Sequence, residues 1–179
     1  KRQNWVVLVL HLAWIFIIIG AGITRYISDE GTLSLREGET TDSYLSDSTY
    51  ITAMVDGIFE GQPLRKKQEK EVLFSVHTQN DYRWASDFKG KPFEIKYISF
   101  SAKAQGMNAL TLEISSGGER QQVTVMGHKG MVHPPVTVKI NQLDFHLSYG
   151  SIYVTMPFSI KLNDFIADKY PGTENSYSS

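Results

Sequence analysis

Five histidines and no cysteine bound the chemistry open to this chain of 179 residues. His11 is the most informative of them, because it is the single ionisable side chain inside the apolar run Trp5–Thr24, WVVLVLHLAWIFIIIGAGIT. An ionisable group at bilayer depth is expensive, and it faces a partner helix, a water-filled cavity or a ligand in preference to acyl chains. A neutral imidazole can ligate haem iron, provided desolvation keeps the proton off the ring. Helical spacing puts Val7, Trp14, Ile15 and Ile18 beside His11, an apolar and aromatic wall suited to a flat macrocycle. On these residues alone two readings stand: an axial ligand, or a polar contact to a neighbouring helix worth ~0.6 kcal/mol.

A second constellation is Met126, His128, Met131 and His133 in VMGHKGMVHPP. Thioether and imidazole together are ligand types that copper favours. Against that, the spacing is loose, Lys129 adds a positive charge, and Gly127 and Gly130 before Pro134-Pro135 signal a turn. The segment therefore reads as a surface loop, with no metal assigned. His77 and His146 alternate with apolar neighbours and are expected on sheet faces with ordinary partners. The lack of cysteine removes disulfides, thiol catalysis, CxxCH haem attachment and cysteine zinc sites together. Asp144 in QLDFHL and Asp164 in LNDFIAD come without a paired-carboxylate, Ser-His-Asp, phosphate-loop or HExxH pattern, so hydrolase chemistry has no support.

These groups need elements to hold them. At ~1.5 Å per residue, Trp5–Thr24 as a helix covers the ~30 Å core of a bilayer, with His11 ~9 Å in from Trp5. Lys1 and Arg2 precede the span, and the acids Asp29, Glu30, Glu37 and Glu39 follow it. The positive-inside rule then predicts a cytoplasmic N-terminus, against the single vote of Arg25, and puts residues 28–179 outside the cytoplasm. Trp5 and Tyr26 fall where an aromatic belt belongs. Gly20 and Gly22, with Ala13 and Ala21, are small enough to admit a neighbouring helix. With 41% hydrophobic and 21% charged residues and a net charge of -1, Ser28–Ser179 is expected to be one folded domain with no basic patch for nucleic acid. The mixed-sign run from Arg65 to Glu71 reads as a solvated loop or the start of a strand.

Period-2 or β-branched stretches predict strands at Thr32–Arg36, Tyr50–Val55, Val72–His77, Phe93–Ala104, Ala109–Ser115, Gln121–Met126, Val136–Ile140, Leu143–Tyr149 and Ile152–Leu162. Ser115-Ser116-Gly117-Gly118 predicts a hairpin, and Tyr149-Gly150-Ser151 a second tight connection. The fold class is thus membrane-anchored and mainly β: one N-terminal transmembrane helix (1–27), then an antiparallel β-sandwich or open-barrel-like domain (28–179). Leu162–Lys169 is expected to hold a helical turn or two, with Ile160, Leu162, Phe165, Ile166 and Tyr170 burying one face, and Tyr170-Pro171-Gly172-Thr173 to form a turn. A first residue that is not Met and a polar tail, Glu174–Ser179, suit a piece of a longer protein whose β-domain is cut short at its C-terminal end.

The anchor HLAWIFIIIGAGITRY, REGET at Arg36–Thr40, YGS at Tyr149–Ser151 and, most specifically, MPFSIKLNDFIADKYPGT at Met156–Thr173 resemble the ResB-like family, the ResB or CcsB component of System II cytochrome c biogenesis. The resemblance is strong over the anchor and from Met156 onward, and loose over Leu64–Pro135. It is closest to forms fused to or paired with a CcsA-type haem-handling membrane protein. It implies export of haem (b-type, transient, shared with the partner) across the cytoplasmic (inner) membrane and its attachment to apocytochrome c, with the β-domain on the periplasmic side. The family's membrane histidine, paired with one from the CcsA-type half, maps onto His11. No catalytic residue is implied in this segment, which would be part of a holocytochrome c synthase complex and not a whole synthase. The competing class is a non-catalytic, membrane-tethered β-rich binding or scaffold module of the cell envelope, with His11 incidental.

Overall fold

The computed structural model describes residues 2–77, 79–102, 106–166, 168–169 and 176–178, the backbone alone for 2–4, 168–169 and 176–178. The chain divides into two compact units, Lys1–Glu30 and Gly31–Ser179. The first is a single helix, α1 (Arg2–Tyr26). Its segment Trp5–Tyr26, 22 residues, is long and apolar enough to cross a membrane, and none of its most apolar stretch is buried by the protein. A helix that is apolar all round needs an apolar surround, and lipid supplies one. By length and composition this helix is suited to anchor the chain in a membrane.

The second unit is built of antiparallel strands: β1 (Gly31–Thr32), β2 (Thr40–Ser46), β3 (Tyr50–Phe59), β4 (Gln62–Glu71), β5 (Arg83–Phe88), β6 (Lys91–Ser101), β7 (Asn108–Ser116), β8 (Glu119–Gly127), β9 (Val136–Ile140), β10 (Leu143–Gly150), β11 (Tyr153–Lys161), β12 (Asp168–Lys169) and β13 (Ser176–Ser178). Two four-stranded sheets, β4-β3-β10-β9 and β5-β6-β7-β8, are joined by a three-stranded sheet β1-β2-β11 and the pair β12-β13. The architecture is the expected antiparallel one, and it is not a closed barrel.

Alternation builds the core. Leu110, Leu112 and Ile114 of β7 and Phe145 and Leu147 of β10 are completely buried, while the residues between them face outward or lie at the margin. The two large sheets meet through these faces: the Phe93 and Phe145 rings pack edge-on with centroids 5.6 Å apart, and Phe100 and Tyr149 at 6.0 Å. Each such side chain contributes ~1.5–3 kcal/mol through its burial. The expected hairpin joins β7 to β8, with Gly117 (φ 59°) and Gly118 (φ 86°) both in the left-handed region that a type I′ turn requires.

Several expectations are corrected. Val72–His77 is not a strand: Val72 is buried, but the Asn80 amide accepts from Ser75 N–H at 2.9 Å and donates to Ser75 C=O at 2.7 Å, folding the chain back on itself. His77 consequently lies in a turn and not on a sheet face. The mixed-charge run is a strand throughout, as part of β4, and β2 and β5 are additional. Strand structure at Thr32–Arg36 shrinks to β1. Residues 162–166 form no helical turn. They run beside the Arg36–Glu39 turn, where Gly38 N–H donates to Leu162 C=O (2.7 Å), Leu162 N–H to Glu39 C=O (3.1 Å) and Phe165 N–H to the Glu37 carboxylate (2.8 Å). Held extended, the segment leaves Ile160, Phe165 and Ile166 exposed in place of the expected buried face. Tyr170 and the turn expected at Tyr170–Thr173 lie outside the described residues. Tyr149-Gly150-Ser151 is a tight connection, but it passes the chain from one sheet to another.

Candidate functional site

His11 sits on α1 with its ring exposed among Val7, Trp14, Ile15 and Ile18, all exposed as well. Its Nδ1 lies 2.7 Å from the backbone carbonyl of Val7, one helical turn back. A carbonyl oxygen can only accept, so Nδ1 carries the hydrogen, and in the neutral ring the lone pair is on Nε2. The helix thereby fixes the tautomer that offers the outer nitrogen to a ligand. A neutral imidazole in that tautomer can donate its Nε2 lone pair to a metal ion. Around Gly20 and Gly22 there is open space: a Cβ at either would meet nothing within 4 Å.

His128 and His133 come together in the connection between β8 and β9. His133 Nε2 lies 3.2 Å from His128 Nδ1, and the ring centroids are 5.2 Å apart. Burial, followed by the His128 ring, pushes the His133 imidazole below its ordinary value. The connection is pinned from a distance. Ser151 Oγ accepts from Gly130 N–H at 2.9 Å and donates to Ser48 C=O at 3.1 Å, and Ser151 N–H donates to Met131 C=O at 3.0 Å. Gly150 presses in from below, with φ at 147°, and a Cβ there would stand 2.7 Å from Met131 O and 3.1 Å from His133 Cδ2.

A third polar string, which the sequence reading missed, runs across one face of the sheet β4-β3-β10-β9. Thr137 Oγ1 is 2.8 Å from His146 Nδ1, His146 Nε2 is 3.2 Å from Asp56 Oδ2, and Arg65 holds both Asp56 oxygens at 2.6 and 2.7 Å. The Arg65 guanidinium holds the Asp56 carboxyl below the usual carboxylate range. Hydroxyl, imidazole and carboxylate in that order have the connectivity of a nucleophile with its base. Here, however, the guanidinium takes up the carboxylate charge that would stabilise an imidazolium, so the string braces four strands. Its signal lay in strand register, where Thr137 faces His146 across β9 and β10. Among the described residues no three of His, Cys, Asp or Glu gather in a group that could hold a metal ion.

No family model matches this chain. A curated relative does: over 168 residues, 92% of this chain, the sequence is 25% identical to Protein NrfI of Wolinella succinogenes. The alignment takes in only 18% of that relative's length. It runs along nearly the whole chain, in contrast to the motif resemblance, which is loose across Leu64–Pro135.

Proposed function

We propose that this chain is a membrane-anchored part of the cytochrome c maturation machinery, a ResB-like component of System II that assists haem transport across the cytoplasmic membrane and haem attachment to apocytochrome c. The similarity to Protein NrfI supports the broad assignment to cytochrome c maturation. The motifs of the anchor and of Met156–Thr173 support the ResB-like assignment. One observation carries the haem reading: an apolar spanning helix holds its lone histidine with Nδ1 tied to its own backbone and Nε2 turned outward. One ligand on one helix makes half a site, so a CcsA-type partner supplies the other histidine and the walls. The Lys1 and Arg2 asymmetry supports a cytoplasmic N-terminus and a β-unit on the periplasmic side.

The test is the visible spectrum of the full-length protein purified from membranes together with its CcsA-type partner. A Soret band with haem near one per complex is expected, falling severalfold in His11→Ala while membrane insertion persists, because removing a polar group makes the helix more apolar. Full haem occupancy with an unchanged spectrum in His11→Ala would overturn the ligand assignment. Absence of haem from the wild-type complex would favour a tethered scaffold. A reporter fused after Ile27 should be active only outside the cytoplasm.

A further inference from the structure

We propose that His128 and His133 form a binding site for monovalent copper, two imidazole nitrogens from one pinned loop with the remaining coordination completed by thioether or solvent. The proposal stands on the β-unit alone and is independent of the reading of His11.

Metal–imidazole bonds of ~2.0–2.1 Å at tetrahedral to trigonal angles separate two nitrogens by ~3.3–3.6 Å. His133 Nε2 and His128 Nδ1 already stand 3.2 Å apart, close to that bite, so rotation of the two rings can turn both nitrogens onto one cation in place of the shared hydrogen. Each ring then binds as neutral imidazole: the ring that had donated moves its hydrogen to its other nitrogen, with no net uptake of protons. Two axial ligands of one haem would need their nitrogens ~4 Å apart with a porphyrin plane between them, which this pair does not provide.

Two of the three sequence features that counted against a metal, the charge of Lys129 and the glycine turn, are answered in the fold. Lys129 is turned to Asp47, with Nζ 2.7 Å from Oδ2, so its charge is compensated away from the rings. The glycine-rich turn is a built frame, fastened by Ser151 and backed by Gly150, so little ordering is left for the ligand to impose. The donor chemistry selects the ion. Structural and catalytic zinc sites use three or four protein ligands, and no third His, Cys, Asp or Glu joins this pair among the described residues. Monovalent copper favours soft donors, and Met131, half exposed on the same loop, and Met126, at the end of β8, bring thioethers into the segment.

The full chain, helix included, is held in detergent micelles under anaerobic reducing conditions and titrated with Cu(I) against bicinchoninate. One Cu(I) per chain is expected, with binding at least ~10-fold weaker in the double variant His128→Ala/His133→Ala. Equal affinity in the variant overturns the site. So does binding of Zn2+ by the wild type in preference to Cu(I). A measurement on the unaltered protein covers the case of a variant that fails to fold: Ag+, a diamagnetic stand-in, should shift the 15N resonances of His128 Nδ1 and His133 Nε2. Shifts confined to His11, His77 or His146 refute the assignment.

Discussion

Trp14 and Trp84 are the same side chain in opposite surroundings. Trp14 on α1 is 60% exposed, whereas Trp84 in β5 is 8% exposed and packs edge-on to Phe93 with centroids 5.1 Å apart. In the helix apolarity marks no face, because it runs all round, and the information is carried by the exception, His11. In the sandwich apolarity is the face: it alternates, and the exceptions are polar strings that tie strands together. A hydrophobic residue thus says where the chain lies in the first unit and which way it points in the second.

The contrast can be broken by substitution. Phe145→Ala should remove ~3–5 kcal/mol from the β-unit, read by chemical denaturation, because it opens a cavity where the two sheets meet. Trp14→Ala should leave that unfolding midpoint in place. A matching loss from Trp14→Ala would show that the units do not behave separately.

Glycines sharpen the same difference. At Gly127 a Cβ would stand 1.8 Å from Tyr149 O, so Gly127→Ala should destabilise the β-unit by ~1–3 kcal/mol as the β8 and β10 backbones are forced apart. Gly20→Ala meets open space on α1 and should leave helicity, measured by circular dichroism in micelles, unchanged or raised. Loss of helical signal there would break the picture of an unencumbered helix surface.

The smallest effect is electrostatic. Asp56 has its folded-state carboxyl lowered by Arg65, so the stability it contributes is complete above the unfolded carboxylate value of ~3.9 and is lost as pH falls through the lowered folded value. The gap in denaturation midpoint between pH 7 and pH 3 should narrow in Asp56→Asn. An unchanged gap would remove Asp56 from the acid response.

The sequence was most legible where one physical signal ruled. Val136–Ile140 coincides with β9, and the Gly117-Gly118 hairpin was readable because two adjacent glycines answer a specific dihedral demand. β4 escaped because Arg65, Lys66, Lys67, Lys70 and Glu71 are all exposed, leaving no period of 2 to read. Val72 and Phe74 misled for the opposite reason: their alternation is real, but a side-chain amide takes the hydrogen bonds a strand partner would have taken. His11 stood out as a lone polar group in an apolar run. The approach of His128 to His133 did not, because the loop between them is shaped by Ser151 and Ser48, far along the chain.

β4 is the outer strand of its sheet, ten residues long, and among the described residues no strand pairs with its second row of backbone donors and acceptors. Domains tethered to a surface meet one another far more often than domains free in three dimensions, and an open strand of that length invites copies to zip edge to edge. Lysine and glutamate along β4 make such zipping repulsive or poorly matched at nearly every register. The charges that made this stretch look like a loop thus guard against crowding, keeping neighbouring copies from fusing into one continuous sheet.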